Sequence, residues 1–268
     1  MRPEGDGGMV RLVGAGPGSA DLLTLRALRA IEGAEALLYD ALVTDEVLAL
    51  APAACLKIQT GKRAGRASMR QDTINRLMLR LARRGLRVVR LKGGDPSVFG
   101  RVGEEVAFLR AHGIETEVVP GVTAASAAAA QFGFPLTHRG EARRVVLTTA
   151  RTGDSGLAGD WRAAADPEAT LAIYMGAGAA AGVRAQLLAT GRCGHTPAIA
   201  VENAGRPEAR LVAGTLATLP ELVDSGMTGP ILLVVGDVTT MAHGASPPFP
   251  SWEGRISDSE NRRQRQIR

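Results

Sequence analysis

Three short stretches of this chain hold residue types that could do chemistry. The first is Gly93-Gly94-Asp95-Pro96, which follows the apolar run of Val88, Val89 and Leu91. Adjacent glycines, lacking Cβ atoms, let the backbone turn sharply and come close to a ligand. Pro96 steers Asp95 away from helical geometry, so its carboxylate sits on a loop at a strand's C-terminal end. Open α/β sheets bind their ligands at that edge. The second stretch is Tyr39-Asp40-Ala41-Leu42-Val43, where Asp40 closes a buried strand. An acid there serves a site, a helix cap or a turn, and residue type alone favours the cap. The third is Gly61-Lys62-Arg63-Ala64-Gly65-Arg66. It reads either as a carboxylate-holding loop, with Arg63 and Arg66 as bidentate donors and Lys62 as a mobile charge, or as a solvated basic loop.

Strands and helices must position these loops. Residues 9–13 form a strand entering Gly14-Ala15-Gly16-Pro17-Gly18. That loop is similar to a dinucleotide fingerprint, but Pro17 interrupts the start of the helix and the third glycine comes one residue early. It suits a ligand resting on backbone better than a pyrophosphate. Leu22, Leu25, Leu28 and Ile31 then follow at helical spacing, closed by Gly33. Further strands are expected at 36–39, 55–59 and 88–91, with a helix over 70–84 whose face is Ile74, Leu77, Met78 and Leu81. A helix over 104–112 and a strand over 117–119 come next. Pro120 then opens a helix of very small residues, including Thr123 and Ala124, suited to close packing against a ligand or a sheet.

This alternation predicts a mostly parallel sheet covered on both faces. Residues 135–141 read as a linker. Beyond it, strands are expected at 144–149, 170–175, 198–201, 210–212 and 231–235, with a helix ending at Thr190. The expected architecture is two α/β domains with mostly parallel sheets, 9–134 and 142–242, and an interdomain cleft. Residues 1–8 and the polar basic tail 243–268 are expected to be disordered.

Composition narrows the function. Cys55 and Cys193 are far apart and the four histidines are scattered, so neither a disulfide nor a metal cluster is expected. No apolar run is long enough for a bilayer, and the first residues lack the apolar centre of a signal peptide, which points to the cytoplasm. The net charge of +5 invites an anionic partner. With basic residues dispersed and aromatics at 3%, a small polyanion fits that balance without nucleic acid.

The loops also form a series. VGAGPGSADLLTL, YDALV, GKRAGR, VVRLKGGDPSVFGR, VVPGVTAASAAAA, PLTHR, IYMG and AVEN occur in this order across most of residues 10–240. The series closely resembles the class III, tetrapyrrole-type methyltransferases. GKRAGR and PLTHR favour the members acting on uroporphyrinogen III over their precorrin-methylating relatives. The resemblance implies two α/β domains, a homodimer, and S-adenosylmethionine folded into the cleft, leaving as S-adenosylhomocysteine. It implies two methylations, at C2 and C7, giving precorrin-2 for siroheme or cobalamin synthesis, without a metal. Carried over motif by motif, cofactor contacts fall on Pro17, Gly93, Gly94, Asp95, Val98, Thr123, Ala124 and Met175, and on Ala204, where glycine is usual. Asp40 would be the proton acceptor and Lys62 the proton donor. A trough of Arg63, Arg66, Arg101 and Arg139 would hold the substrate's eight carboxylates. Ser97 and Val102 depart from the family's common Phe and Gly, with an expected effect on pocket shape. The rival readings are a later-precorrin methylase, an RNA-modifying relative, and a non-catalytic nucleotide binder built on the first glycine loop.

Overall fold

The computed structural model describes residues 8–61, 69–150 and 161–244. The first half runs β1 (Val10–Gly14), α1 (Leu25–Glu32), β2 (Ala36–Tyr39), α2 (Asp45–Ala49), β3 (Leu56–Gln59), α3 (Gln71–Arg83), β4 (Val88–Lys92), α4 (Val102–Ala111), β5 (Thr116–Val119) and α5 (Ala124–Gln131). Its five strands are all parallel, in the order β3-β2-β4-β1-β5. Local chemistry sets the helix ends. Thr24 Oγ1 accepts from Ala27 N at 3.1 Å and caps α1. Beyond α3, Gly85 takes φ 74° while its N–H bonds back to Ala82. The first helix begins at Leu25, later than the periodicity suggests, because Ala20–Leu22 form a separate 3-10 turn.

Alternate strand residues face opposite layers. α1 and α2 cover Val13, Leu37, Val89 and Leu91, and α3 and α4 cover Val10, Leu38 and Val88. The chain therefore leaves β1 toward one face and leaves the adjacent β4 toward the other. A crevice opens between their C-terminal ends, the switch point of the sheet.

The second half contains β6 (Arg144–Thr149), β7 (Ala169–Tyr174), α6 (Ala180–Ala189), β8 (Pro197–Glu202), β9 (Arg210–Thr215), α7 (Leu219–Val223) and β10 (Ile231–Val235). Its order is β6-β7-β10-β8-β9. Here the expectation of mostly parallel pairing fails. Only β6 and β7 pair in parallel; the other three pairings are antiparallel. The cause is the link from β8 to β9, which carries no helix, so the chain turns straight back on itself. β10 then runs with β9 but inserts between β7 and β8, antiparallel to both.

α5 joins the halves. Its Ala125 and Ala128, with Phe132 just beyond, pack on Ala172, Ile199, Val201 and Leu232 of the second sheet. Small side chains permit that close approach, so the sheet contact expected of this helix is realised. Residues 1–7 and 245–268 lie outside the described residues. Among the described residues no helix is long and apolar enough to cross a membrane.

Candidate active site in the cleft between the two sheets

Three glycines bring the first-half loops together. Gly16 and Gly94 form a two-way bridge, with Gly94 N donating to Gly16 O at 2.7 Å and Gly16 N donating to Gly94 O at 3.2 Å. Gly94 holds φ 68°, a left-handed conformation that favours glycine. A Cβ on Gly121 would sit 2.3 Å from Gly94 O, so no side chain fits where the loops after β1, β4 and β5 touch. Asp95 fastens the same junction. Its Oδ2 accepts from Gly121 N at 2.9 Å and its Oδ1 from Ser97 N at 2.7 Å. The first glycine loop is thus stacked on its neighbours rather than wrapped around a helix start, in keeping with Pro17.

These loops face the second sheet across a cleft of about 330 Å³. Every residue to which the family resemblance assigns a cofactor contact lines it: Pro17, Gly93, Gly94, Asp95, Val98, Thr123, Ala124, Met175 and Ala204. Tyr174, at the end of β7, holds the two sides together. Its hydroxyl lies 2.6 Å from Thr123 Oγ1 and accepts from Ala125 N at 3.2 Å, and its ring meets Phe99 at 5.1 Å. Backbone strain gathers here as well. Among the described residues, Phe99, Arg101, Met175 and Asn203 are the non-glycine residues at positive φ, between 54° and 57°. Each costs about 1 kcal/mol. Phe99 and Met175 line the cleft, and Asn203 precedes Ala204. Such outliers cluster where a site has to be held in shape.

Asp40 also lines the cleft, and it does not cap a helix; Thr44 occupies that position for α2. The cap reading fails because the chain makes a turn first, closed by Val43 N donating to Asp40 O at 3.2 Å. The Asp40 carboxylate instead accepts from Arg90 Nη2, and from Thr60 Oγ1 at 3.4 Å. Behind it runs a buried charge chain. Glu105, fully buried, accepts from Arg90 Nε at 3.1 Å, Lys92 Nζ at 3.0 Å and Gln71 Nε2 at 3.0 Å. Burial, together with the Arg90 charge, pushes the Lys92 ammonium below the usual lysine range, while Glu105 and Asp40 oppose that shift. Two carboxylates and two cations balance, which is what lets them stay inside. The loop sequence gives no sign of this chain. The available signal was Arg90 and Lys92 at period two in an otherwise apolar central strand, facing an acid in the first turn of α4.

The basic residues fare differently. Lys62, Arg63 and Arg66 lie outside the described residues. Arg101 is exposed and bound to Glu104 through two hydrogen bonds, at 2.8 and 2.7 Å. Arg139 is exposed on the turn closed by His138 and Ala142. Neither Arg101 nor Arg139 lines the cleft, and neither do Ser97 and Val102. Arg206 does line it and was not anticipated. Among the described residues no group of His, Cys, Asp and Glu could hold a metal ion.

Comparison with known proteins agrees with this geometry. Residues 9–220 match the family model of Tetrapyrrole (Corrin/Porphyrin) Methylases. The chain is 48% identical over 236 residues to a siroheme synthase of Chromobacterium violaceum, covering 88% of this chain and 50% of that protein. It is also 48% identical over 241 residues to one from Xylella fastidiosa, covering 90% and 51%. The chain thus spans about half the length of the curated relatives it matches. Among solved structures it is similar to uroporphyrin-III C-methyl transferase from Thermus thermophilus complexed with S-adenosylhomocysteine. That match has TM-score 0.76 and 44% identity, and covers 87% of this chain and 99% of that one. A cobalt precorrin-4 methyltransferase gives TM-score 0.78 at 28% identity, covering 88% and 98%.

Proposed function

The chain belongs to the tetrapyrrole (corrin/porphyrin) methylases, and from that membership we propose that it methylates uroporphyrinogen III at C2 and C7 to give precorrin-2. The methyl donor in this reading is S-adenosylmethionine, whose sulfonium supplies an electrophilic methyl group. One observation carries the proposal: nine residues scattered from Pro17 to Ala204 converge on a single cleft. The cleft fits such a molecule in kind. Its volume lies at the lower end of the range for sites that enclose a small organic ligand. Gly93 and Gly94 leave backbone open to contact, and Thr123 and Tyr174 bring hydroxyls to its wall.

The protein's own part is placement and a proton. The bound molecule would lie against the loops of Gly93 to Val98 and Thr123 to Ala124, with Met175 and Ala204 facing them from the other sheet. Alignment of the attacking carbon with the methyl group and exclusion of water are the main contributions to rate. The transfer leaves a proton to be removed from the tetrapyrrole. In this reading the Asp40 carboxylate, which is partly exposed at the cleft and held by Arg90, accepts it. Lys62 as proton donor, and Arg63, Arg66, Arg101 and Arg139 as partners of the substrate carboxylates, complete the reading. The division into domains at 135–141, a homodimer and a cytoplasmic location belong to the same proposal.

The test is an anaerobic incubation with S-adenosylmethionine and fresh uroporphyrinogen III, read by product mass. A gain of two methyl groups is expected. No gain, with S-adenosylhomocysteine still bound, would overturn the substrate and move it to a later precorrin. Absence of both binding and transfer would overturn the whole reading.

A further inference from the structure

Of the two cations lining the cleft among the described residues, Lys92 and Arg206, only Lys92 has a carboxylate partner. Asp40 is paired with Arg90, Asp95 is committed to Gly121 N and Ser97 N, and Lys92 is bound to Glu105. Arg206 has no carboxylate partner among the described residues. Its wall is largely apolar, with Leu42, Val201 and Leu232 nearby in the lining. Arg206 is half-buried there, and its guanidinium is open to a ligand arriving in the cleft.

Arg206 is also held firmly. Gln131 Nε2 donates to Arg206 O at 2.9 Å, Gln131 Oε1 accepts from Gly205 N at 2.8 Å, and Ser19 N donates to Gly205 O at 2.9 Å. The side chain crosses to the first half over Gly18, where a Cβ would sit 2.3 Å from Arg206 Cγ. There its Nη2 donates to Leu42 O at 3.0 Å. Nε is buried with no partner. One of five donors is thus spent on anchoring, and a pre-oriented guanidinium remains at the cleft wall. That is the geometry suited to a carboxylate.

We propose that Arg206 is a carboxylate-recognition residue of this cleft. The inference rests on the methyl-transfer reading, which offers two sources of that chemistry: the amino-acid end of the cosubstrate and the acid side chains of the tetrapyrrole.

Calorimetry with the full chain separates the outcomes. Binding of S-adenosylhomocysteine and of its decarboxylated analogue is measured for the wild type, Arg206→Met and Arg206→Lys, with melting curves recorded alongside. Uroporphyrinogen KM is measured for the same three proteins. Wild-type binding of S-adenosylhomocysteine is the control; its absence would fault the cofactor reading and not Arg206 alone. Where the carboxylate is the cosubstrate's, Arg206→Met weakens S-adenosylhomocysteine at least about tenfold and leaves the decarboxylated analogue unchanged. Where it is the tetrapyrrole's, the analogue and the parent bind as before and KM rises at least about tenfold. In either case Arg206→Lys recovers part of the loss. Equal weakening of both nucleosides, or no change in any arm, overturns the proposal.

Discussion

Replacing Glu105 by Gln removes one charge and almost no volume from the most enclosed part of the molecule. Glu105 is fully buried and receives donors from Arg90, Lys92 and Gln71, all within 3.1 Å. Without its charge, Arg90 and Lys92 remain inside with only Asp40 to oppose them, and the cluster passes from neutral to positive. Breaking a buried pair on one side costs about 3–5 kcal/mol. In a chain of this size each kcal/mol moves the melting midpoint by about 2–4 °C, so the midpoint at neutral pH should fall by roughly 6–20 °C.

The loss carries a pH signature. In the folded protein, burial already lowers the affinity of Lys92 for its proton. The unfolded chain therefore holds more protons below the ordinary lysine value, near 10.4, and stability rises with pH in that window. Removing Glu105, which opposes the shift, lowers the folded value further, so Glu105→Gln should recover more stability than wild type as pH rises toward the ordinary lysine value. Scanning calorimetry across that range reads both effects. A midpoint within about 2 °C of wild type at neutral pH, with no added alkaline recovery, would refute the charge-balance argument.

Three further outcomes follow from the geometry. Asp40→Asn should cut turnover by about 10²–10⁴-fold while S-adenosylhomocysteine binds as before, since the carboxylate is assigned to proton transfer; full turnover would remove it from that role. Tyr174→Phe deletes the hydroxyl that meets Thr123 and Ala125, worth about 1 kcal/mol, and calorimetry should register cofactor binding about fivefold weaker. Glu202 is held as a carboxylate by the backbone N–H groups of Gly229 and Thr228 and by Arg210, and its pKa lies below the usual value. Its contribution is whole above about pH 4.3 and is lost as pH falls through the lower folded value, so Glu202→Gln should lower the midpoint at neutral pH and flatten the acid limb of the stability curve.

The first sheet was legible because its strands, helices and glycine stops alternate regularly. Each C-terminal strand end also carries a turn chemistry of its own, as in Gly93-Gly94-Asp95-Pro96. The second sheet was legible strand by strand but not in its pairing. Direction there is decided by whether a link holds a crossover helix, and the short stretch after Asn203 did not announce its role. Residue type alone could not separate a cap from a site at Asp40, since the two differ in where the chain turns next. The charge chain behind Asp40 was hidden because its members lie just after β2, on β4 and on α4, and only the fold brings them into ion-pair distance. Arg206 escaped notice because its neighbours, Gly18, Gln131 and Leu42, all come from the other half of the chain.

The left-handed residues around the cleft bear on how this protein can be altered. Glycine at Phe99, Met175 or Asn203 would relieve backbone strain in the resting molecule, and a screen for thermal resistance would reward it. The same exchange would strip away the ring against Tyr174 or the thioether facing the glycine loops, and free the turn that carries Ala204 and Arg206. Selection for heat tolerance and selection for turnover therefore pull in opposite directions at these positions. Libraries aimed at a hardier catalyst are better spent on the outer helices α3 and α6.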